Sequence, residues 1–179
     1  GELPETLRIA HPGAIVAFGK RDVVGPGYPE AVAAARAGGF EAIERLAGGR
    51  AAVFHEGTIS FAHSIPDPDP RSRVTERFDM TSALMVRAFA SLGIDARVGE
   101  VPGEYCPGAD SVNARGVRKL MGVGQRLVSR GSHVGGVVVV HGADRVNGVL
   151  VPVYRELGLQ WRPEVTGATT VPPVLSPAI

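Results

Sequence analysis

The sequence predicts an α+β fold: a mixed, largely antiparallel sheet with flanking helices. Three observations carry the prediction. Short runs rich in Val, Ile, Ala and Phe recur between Gly/Pro turns, as strands do. A few segments keep a helical period, interspersed among many antiparallel-looking strands rather than alternating with them. The 179 residues suit one domain, long enough to bury about 70% of its unfolded surface without staples.

In order, LRIAH and AIVAFG read as short strands separated by a Pro-Gly turn. YPEAVAAARAGG reads as a helix, with Pro29 near its start and glycines at its end. EAIER, RAAVFH and TISFAHSI read as strands, the last two joined at Glu56-Gly57 as a hairpin. IPDPDPRS is a proline-punctuated loop. From Val74 to Leu92, the apolar residues Val74, Phe78, Met85, Phe89 and Leu92 fall at intervals of 4, 7, 4 and 3, one face of a helix ended by Gly93. DARVG and a turn around Cys106 follow, then a strand around SVNAR and two longer ones, LMGVGQRLVS and SHVGGVVVV. DRVNGVLVPVYREL reads as a helix that Pro152 would kink or shorten. This organisation gives one domain over residues 1–165 and a Pro-rich tail, 166–179, expected to lie extended over the surface or to be disordered.

The formal net charge of +1 gives no general pull toward nucleic acid or an anionic membrane, and neither is an expected partner. No purely apolar aliphatic run, Val137 to Val140 included, is long enough to span a bilayer. One cysteine excludes an intrachain disulfide framework and fits a reducing, cytoplasmic setting.

That cysteine lies in GEYCPGADSVNARGVRKL, where Pro102, Gly103, Pro107 and Gly108 force non-helical backbone. A lone cysteine is commonly a buried hydrophobe. A reactive one needs an electropositive, partly exposed setting, which Lys119 would supply if the intervening strand and turn bring it close. RLAGGRAAVFH is the second candidate. Its Gly48-Gly49 pair lets backbone approach a ligand, and Arg45 and Arg50 stand beside it. Taken alone, those residues read more readily as an ordinary Gly-Gly turn with two solvated arginines, since such turns are common. Five histidines (His11, His55, His63, His133 and His141) offer a partner for the thiol but lack the spacing of a metal site, so no metal is expected. There is no phosphate loop or dinucleotide fingerprint, and SRGSH lacks the elbow of a serine hydrolase.

Together, RLAGGRAAVFH and GEYCPGADSVNARGVRKLMGVGQR resemble the biotin/lipoate ligase and octanoyltransferase superfamily over most of residues 6 to 160. The first block resembles its Arg-x-x-Gly-Gly segment at the acyl site. The second resembles its polar strand, lysine and Gly-x-x-Gln, here Gly122 to Gln125. The cysteine in YCPG looks most like the cysteine-dependent octanoyl/lipoyl transferases, especially the amidotransferases acting on the glycine-cleavage H protein. The chain is short for that family and begins almost directly at a strand.

The resemblance implies a biotin/lipoate ligase-like catalytic domain working by ping-pong acyl transfer. Cys106 would attack an octanoyl or lipoyl carbonyl held on acyl carrier protein or the H protein, and a lipoyl-domain lysine would take the acyl group from the thioester. Lys119 would position the carbonyl and stabilise its developing charge. Arg45, Gly48, Gly49, Arg50, His55, Gly122 and Gln125 are the implied substrate-binding residues. No cofactor is then required. Two alternatives stay open: an ATP-dependent lipoate or biotin ligase, in which ATP is needed and the cysteine is incidental, and a non-catalytic acyl- or carrier-binding relative.

Overall fold

The computed structural model describes residues 4–169. Nine strands form two sheets. β1 (Thr6–Ala10), β5 (Thr58–Pro66), β6 (Ala96–Val98), β7 (Val112–Ala114), β8 (Arg118–Val128) and β9 (Gly131–Val139) build a six-stranded sheet in the order β1-β5-β9-β8-β7-β6. Every neighbour in it is antiparallel. β2 (Ile15–Phe18), β3 (Glu41–Glu44) and β4 (Ala52–Phe54) form a three-stranded sheet in the order β3-β2-β4. Its β2–β3 pair is parallel, because helix α2 (Tyr28–Ala37) carries the chain back across the sheet between them. The expected mixed, largely antiparallel α+β architecture is therefore what the chain adopts.

The short helix α1 (Lys20–Val23) escaped the sequence reading, since four residues hold no period. The long helices bury the faces their spacing dictates. In α4 (Ala143–Glu156), Val146, Val149, Leu150, Val153 and Tyr154 are buried. They meet Ala31 and Ala35 of α2 and the buried Val16, Phe18 and Val53 of the small sheet. Pro152 does not shorten α4, which continues past it to Glu156. The carbonyl that its missing N–H leaves unbonded belongs to Gly148, which is exposed and open to water. In α3 (Val74–Ser91), Phe89 packs on Val112, Leu120, Met121 and Val138 of the large sheet. Arg77 is also buried in α3, with its guanidinium on Asp67 (2.6 Å), on Gln125 Oε1 (2.6 Å) and on the Pro70 carbonyl.

One connection corrects the sequence reading. β4 and β5 do not form a hairpin: β4 pairs with β2 and β5 with β1 and β9. The turn at Glu56-Gly57 passes the chain from one sheet to the other. His55 anchors that crossing, buried, with Nδ1 accepting the Gly57 N–H at 2.9 Å. The Gly57 carbonyl in turn accepts the N–H groups of Val140 and His141. At the other end, residues 166–169 are not a surface tail. Thr166 bridges Lys119, the Gly167 N–H bonds the Lys119 carbonyl at 2.8 Å, and the Thr169 N–H bonds the Val139 carbonyl at 2.9 Å. The rest of the Pro-rich tail lies outside the described residues.

Candidate active site

The two sheets enclose a cavity of about 980 Å³ that reaches the surface. The large sheet offers it Ser60, Ala62, Gly122, Gly124 and Gly135, and the small sheet offers Ile15, Ala17, Ile43 and Phe54. Small residues on one wall and apolar ones on the other leave a slot suited to an alkyl chain. Cys106, Lys119, Arg45, Gly48 and Gly49 all line it. The two sequence blocks therefore meet in space although some sixty residues apart.

Cys106 is partly exposed and sits at φ +42°, the left-handed region that a non-glycine residue enters only at a cost. Both of its backbone groups are held there. Its N–H donates to the Tyr154 hydroxyl at 2.8 Å, and its carbonyl accepts from Lys119 Nζ at 2.8 Å. The Tyr154 hydroxyl in turn donates to the Ala51 carbonyl at 2.9 Å. Burial, followed by the neighbouring Cys106, holds the Tyr154 phenol well above its ordinary pKa, so it remains a donor at neutral pH.

The thiol receives two N–H groups. Arg45 Nη2 lies 3.3 Å from Sγ and the Arg50 backbone N–H 3.2 Å from it. Gly49 makes that approach possible. It takes φ +102°, and a Cβ on it would stand 2.8 Å from Sγ and 2.5 Å from Arg45 Nη2. Gly19 makes room in the same way, since its Cβ would lie 2.0 Å from the Gly49 carbonyl oxygen. The Arg50 side chain turns away from the cavity to the buried Asp22 of α1, at 3.1 Å, and that contact fixes the backbone N–H facing the sulfur. A sulfur ringed by N–H donors at the rim of an apolar slot is arranged to meet an acyl carbonyl.

Lys119 is buried, and a bulge explains its direction. Val112 faces Met121 and Asn113 faces Lys119, leaving Leu120 as the extra residue of β8. The ammonium gives all three of its N–H groups to the cysteine loop: Glu104 Oε1 (2.8 Å), the Tyr105 carbonyl (2.9 Å) and the Cys106 carbonyl. It contacts the cysteine backbone, not the thiol. Glu104 also accepts from Ser111 Oγ and from the Val101 N–H, so both carboxylate oxygens are engaged.

Besides Arg50, whose side chain pairs with Asp22 and does not line the cavity, two more implied substrate-binding residues have other partners. His55 does not line the cavity. Its ring serves the turn between the sheets, and burial holds its imidazole pKa below the ordinary value. Gln125 lines the cavity, but its carboxamide ties Arg77 to the Val74 carbonyl (3.2 Å). His11 and His133 also line the cavity, yet no histidine among the described residues hydrogen-bonds Cys106. The sequence reading missed Tyr154, Asp22 and Glu104. Asp22 alone carried a local signal, the Gly19-x-x-Asp22 spacing in which the carboxylate accepts the Gly19 N–H at 3.0 Å. Among the described residues no cluster of three or more His, Cys, Asp or Glu could hold a metal ion. No helix among them is long and apolar enough to cross a membrane.

Known proteins are similar to this chain in sequence and in fold. An octanoyl-[GcvH]:protein N-octanoyltransferase of Exiguobacterium sibiricum is 28% identical over 145 residues, 81% of this chain and 52% of the relative. An enzyme of the same description from Lysinibacillus sphaericus is 24% identical over 157 residues, 88% of this chain and 56% of the relative. The chain thus spans about half the length of the curated relatives it matches. A crystal structure of lipoate-protein ligase A bound with ATP superposes with a TM-score of 0.72 at 19% identity, covering 97% of this chain and 66% of that one, a likeness of fold. The sequence profile of the lipoyl protein ligase A/B catalytic domain matches residues 1–156. The chain belongs to that family.

Proposed function

We propose that the chain is the catalytic part of an octanoyltransferase that takes an octanoyl group from the glycine-cleavage H protein and delivers it to a lipoyl-domain lysine. The single observation that carries the reading is Cys106 Sγ at the rim of the apolar cavity with two N–H donors directed at it. The names of the two curated relatives support the octanoyl group and the donor.

The octanoyl chain enters the slot between the sheets and places its amide carbonyl at Cys106. Burying its methylenes contributes roughly 0.8 kcal/mol each, enough to hold a chain without a charged anchor. Sγ bonds to the carbonyl carbon, and the C=O electron pair moves onto oxygen. The tetrahedral species collapses as the C–N bond breaks, and the proton from the thiol leaves with the donor lysine amine. The acceptor lysine amine attacks the thioester, and the C–S bond breaks to return the thiol. Tyr154 and Lys119 hold the two ends of the Cys106 peptide throughout. One lysine amide is broken and an equivalent one is formed, so the overall exchange is close to isoenergetic, with the thioester as its higher-energy intermediate, and no ATP is consumed.

The test is intact mass spectrometry after incubation with octanoylated H protein and no nucleotide. One octanoyl group is expected on wild-type protein and none on Cys106→Ala. Absence of the adduct, or its appearance only with ATP, would overturn the reading.

A further inference from the structure

We infer that Arg45, with the Arg50 backbone N–H, holds the oxyanion of the acyl-transfer step, and that Lys119 is a positioning residue. The inference rests on the acyltransferase reading and assigns the charge-stabilising role within it.

Lys119 has no donor left to offer. Its three N–H groups are spent on Glu104, the Tyr105 carbonyl and the Cys106 carbonyl, and its ammonium is paired with a buried carboxylate. Releasing a carbonyl to an oxyanion would free the backbone at the nucleophile, and releasing Glu104 would strip a buried carboxylate of its cation.

Arg45 is in the opposite state. Its guanidinium carries five N–H donors in a planar fork. Nη2 bonds the Arg50 carbonyl at 2.5 Å and touches Sγ at 3.3 Å. Nε is buried with no partner, and Nη1 donates to nothing among the described residues. The group lines the same cavity as the thiol, and Nη1 lies 3.9 Å from where a Cβ of Gly124 would stand. Donors left unpaired against an apolar slot carry a desolvation cost that an incoming anionic oxygen relieves. An oxyanion one bond beyond the new C–S bond falls within reach of groups already touching the sulfur. The Arg50 N–H, fixed through Asp22, supplies the second donor.

The test compares two reactions at Cys106. Alkylation by iodoacetamide displaces iodide at a saturated carbon and forms no oxyanion, whereas acylation by octanoylated H protein forms one. Arg45→Gln is expected to slow acylation by about 100-fold or more, the usual loss for one oxyanion donor, and alkylation by less than about 10-fold. Arg45→Lys, which keeps the charge without the fork, is expected to acylate at an intermediate rate and alkylate as wild type. Lys119→Met is expected to slow both reactions by the same factor, because it loosens the loop. Equal losses in the two reactions for Arg45→Gln, or wild-type acylation by either Arg45 variant, would overturn the assignment. Wild-type protein that alkylates but never acylates would overturn the functional reading and this inference with it.

Discussion

Cys106 and Gly49 hold the site together through backbone conformations rarely used by their neighbours in sequence. Cys106 takes φ +42° only because Tyr154 and Lys119 fix its N–H and carbonyl, and Gly49 takes φ +102° to bring its loop onto the sulfur. Gly49→Ala would set a methyl 2.8 Å from Sγ and 2.5 Å from Arg45 Nη2 while straining its own backbone. Its stability, measured by urea denaturation, should fall by about 1–3 kcal/mol, the usual cost of such a conformation. Its single-turnover octanoylation should fall further than stability alone explains, since the thiol and guanidinium are pushed apart. Octanoylation at the wild-type rate would show that the close approach is irrelevant to the chemistry. Cys106, Lys119, Arg45 and the glycine pair were all legible in the sequence. Tyr154 was not: it sits 48 residues from Cys106 on the buried face of an amphipathic helix, where a tyrosine reads as core.

At the scale of elements, the bulge between β7 and β8 and the loop before β7 act as one unit joined by the Lys119–Glu104 pair. Both groups are buried, so removing one leaves the other uncompensated. Lys119→Met should destabilise the protein by about 3–5 kcal/mol, and Lys119→Met with Glu104→Gln by clearly less than the sum of the single changes. Urea denaturation of the four proteins measures this, and strictly additive losses would contradict a coupled pair. Most strands and the three long helices were readable from period and turn residues. The β4–β5 hairpin was not, because a two-residue turn between two apolar runs has the same local signature whether the strands pair or part. What separates them is long-range: β2 offers Val16 opposite Val53, and β1 offers Ile9 opposite Phe61. Pro152 misled for a related reason, since its cost depends on whether the Gly148 carbonyl meets water or core.

Over the whole molecule, the division of strands between two sheets creates the cavity, and Cys106 lies on its lining. The chain crossing at His55 leaves β4 in the small sheet and β5 in the large one, and both supply lining to the slot that Gly48 and Gly49 also line. The arrangement asks little of electrostatics at long range, in keeping with a net charge of +1. The proposed reaction asks instead that one sulfur receive an acyl group from one protein and give it to another. That claim is tested by preparing the octanoylated enzyme, removing the donor and adding a lipoyl domain in the absence of ATP. The predicted result is loss of the octanoyl group from Cys106 with its stoichiometric appearance on the lipoyl-domain lysine. An acyl-enzyme that persists, or transfer that proceeds equally well in Cys106→Ser, would contradict it.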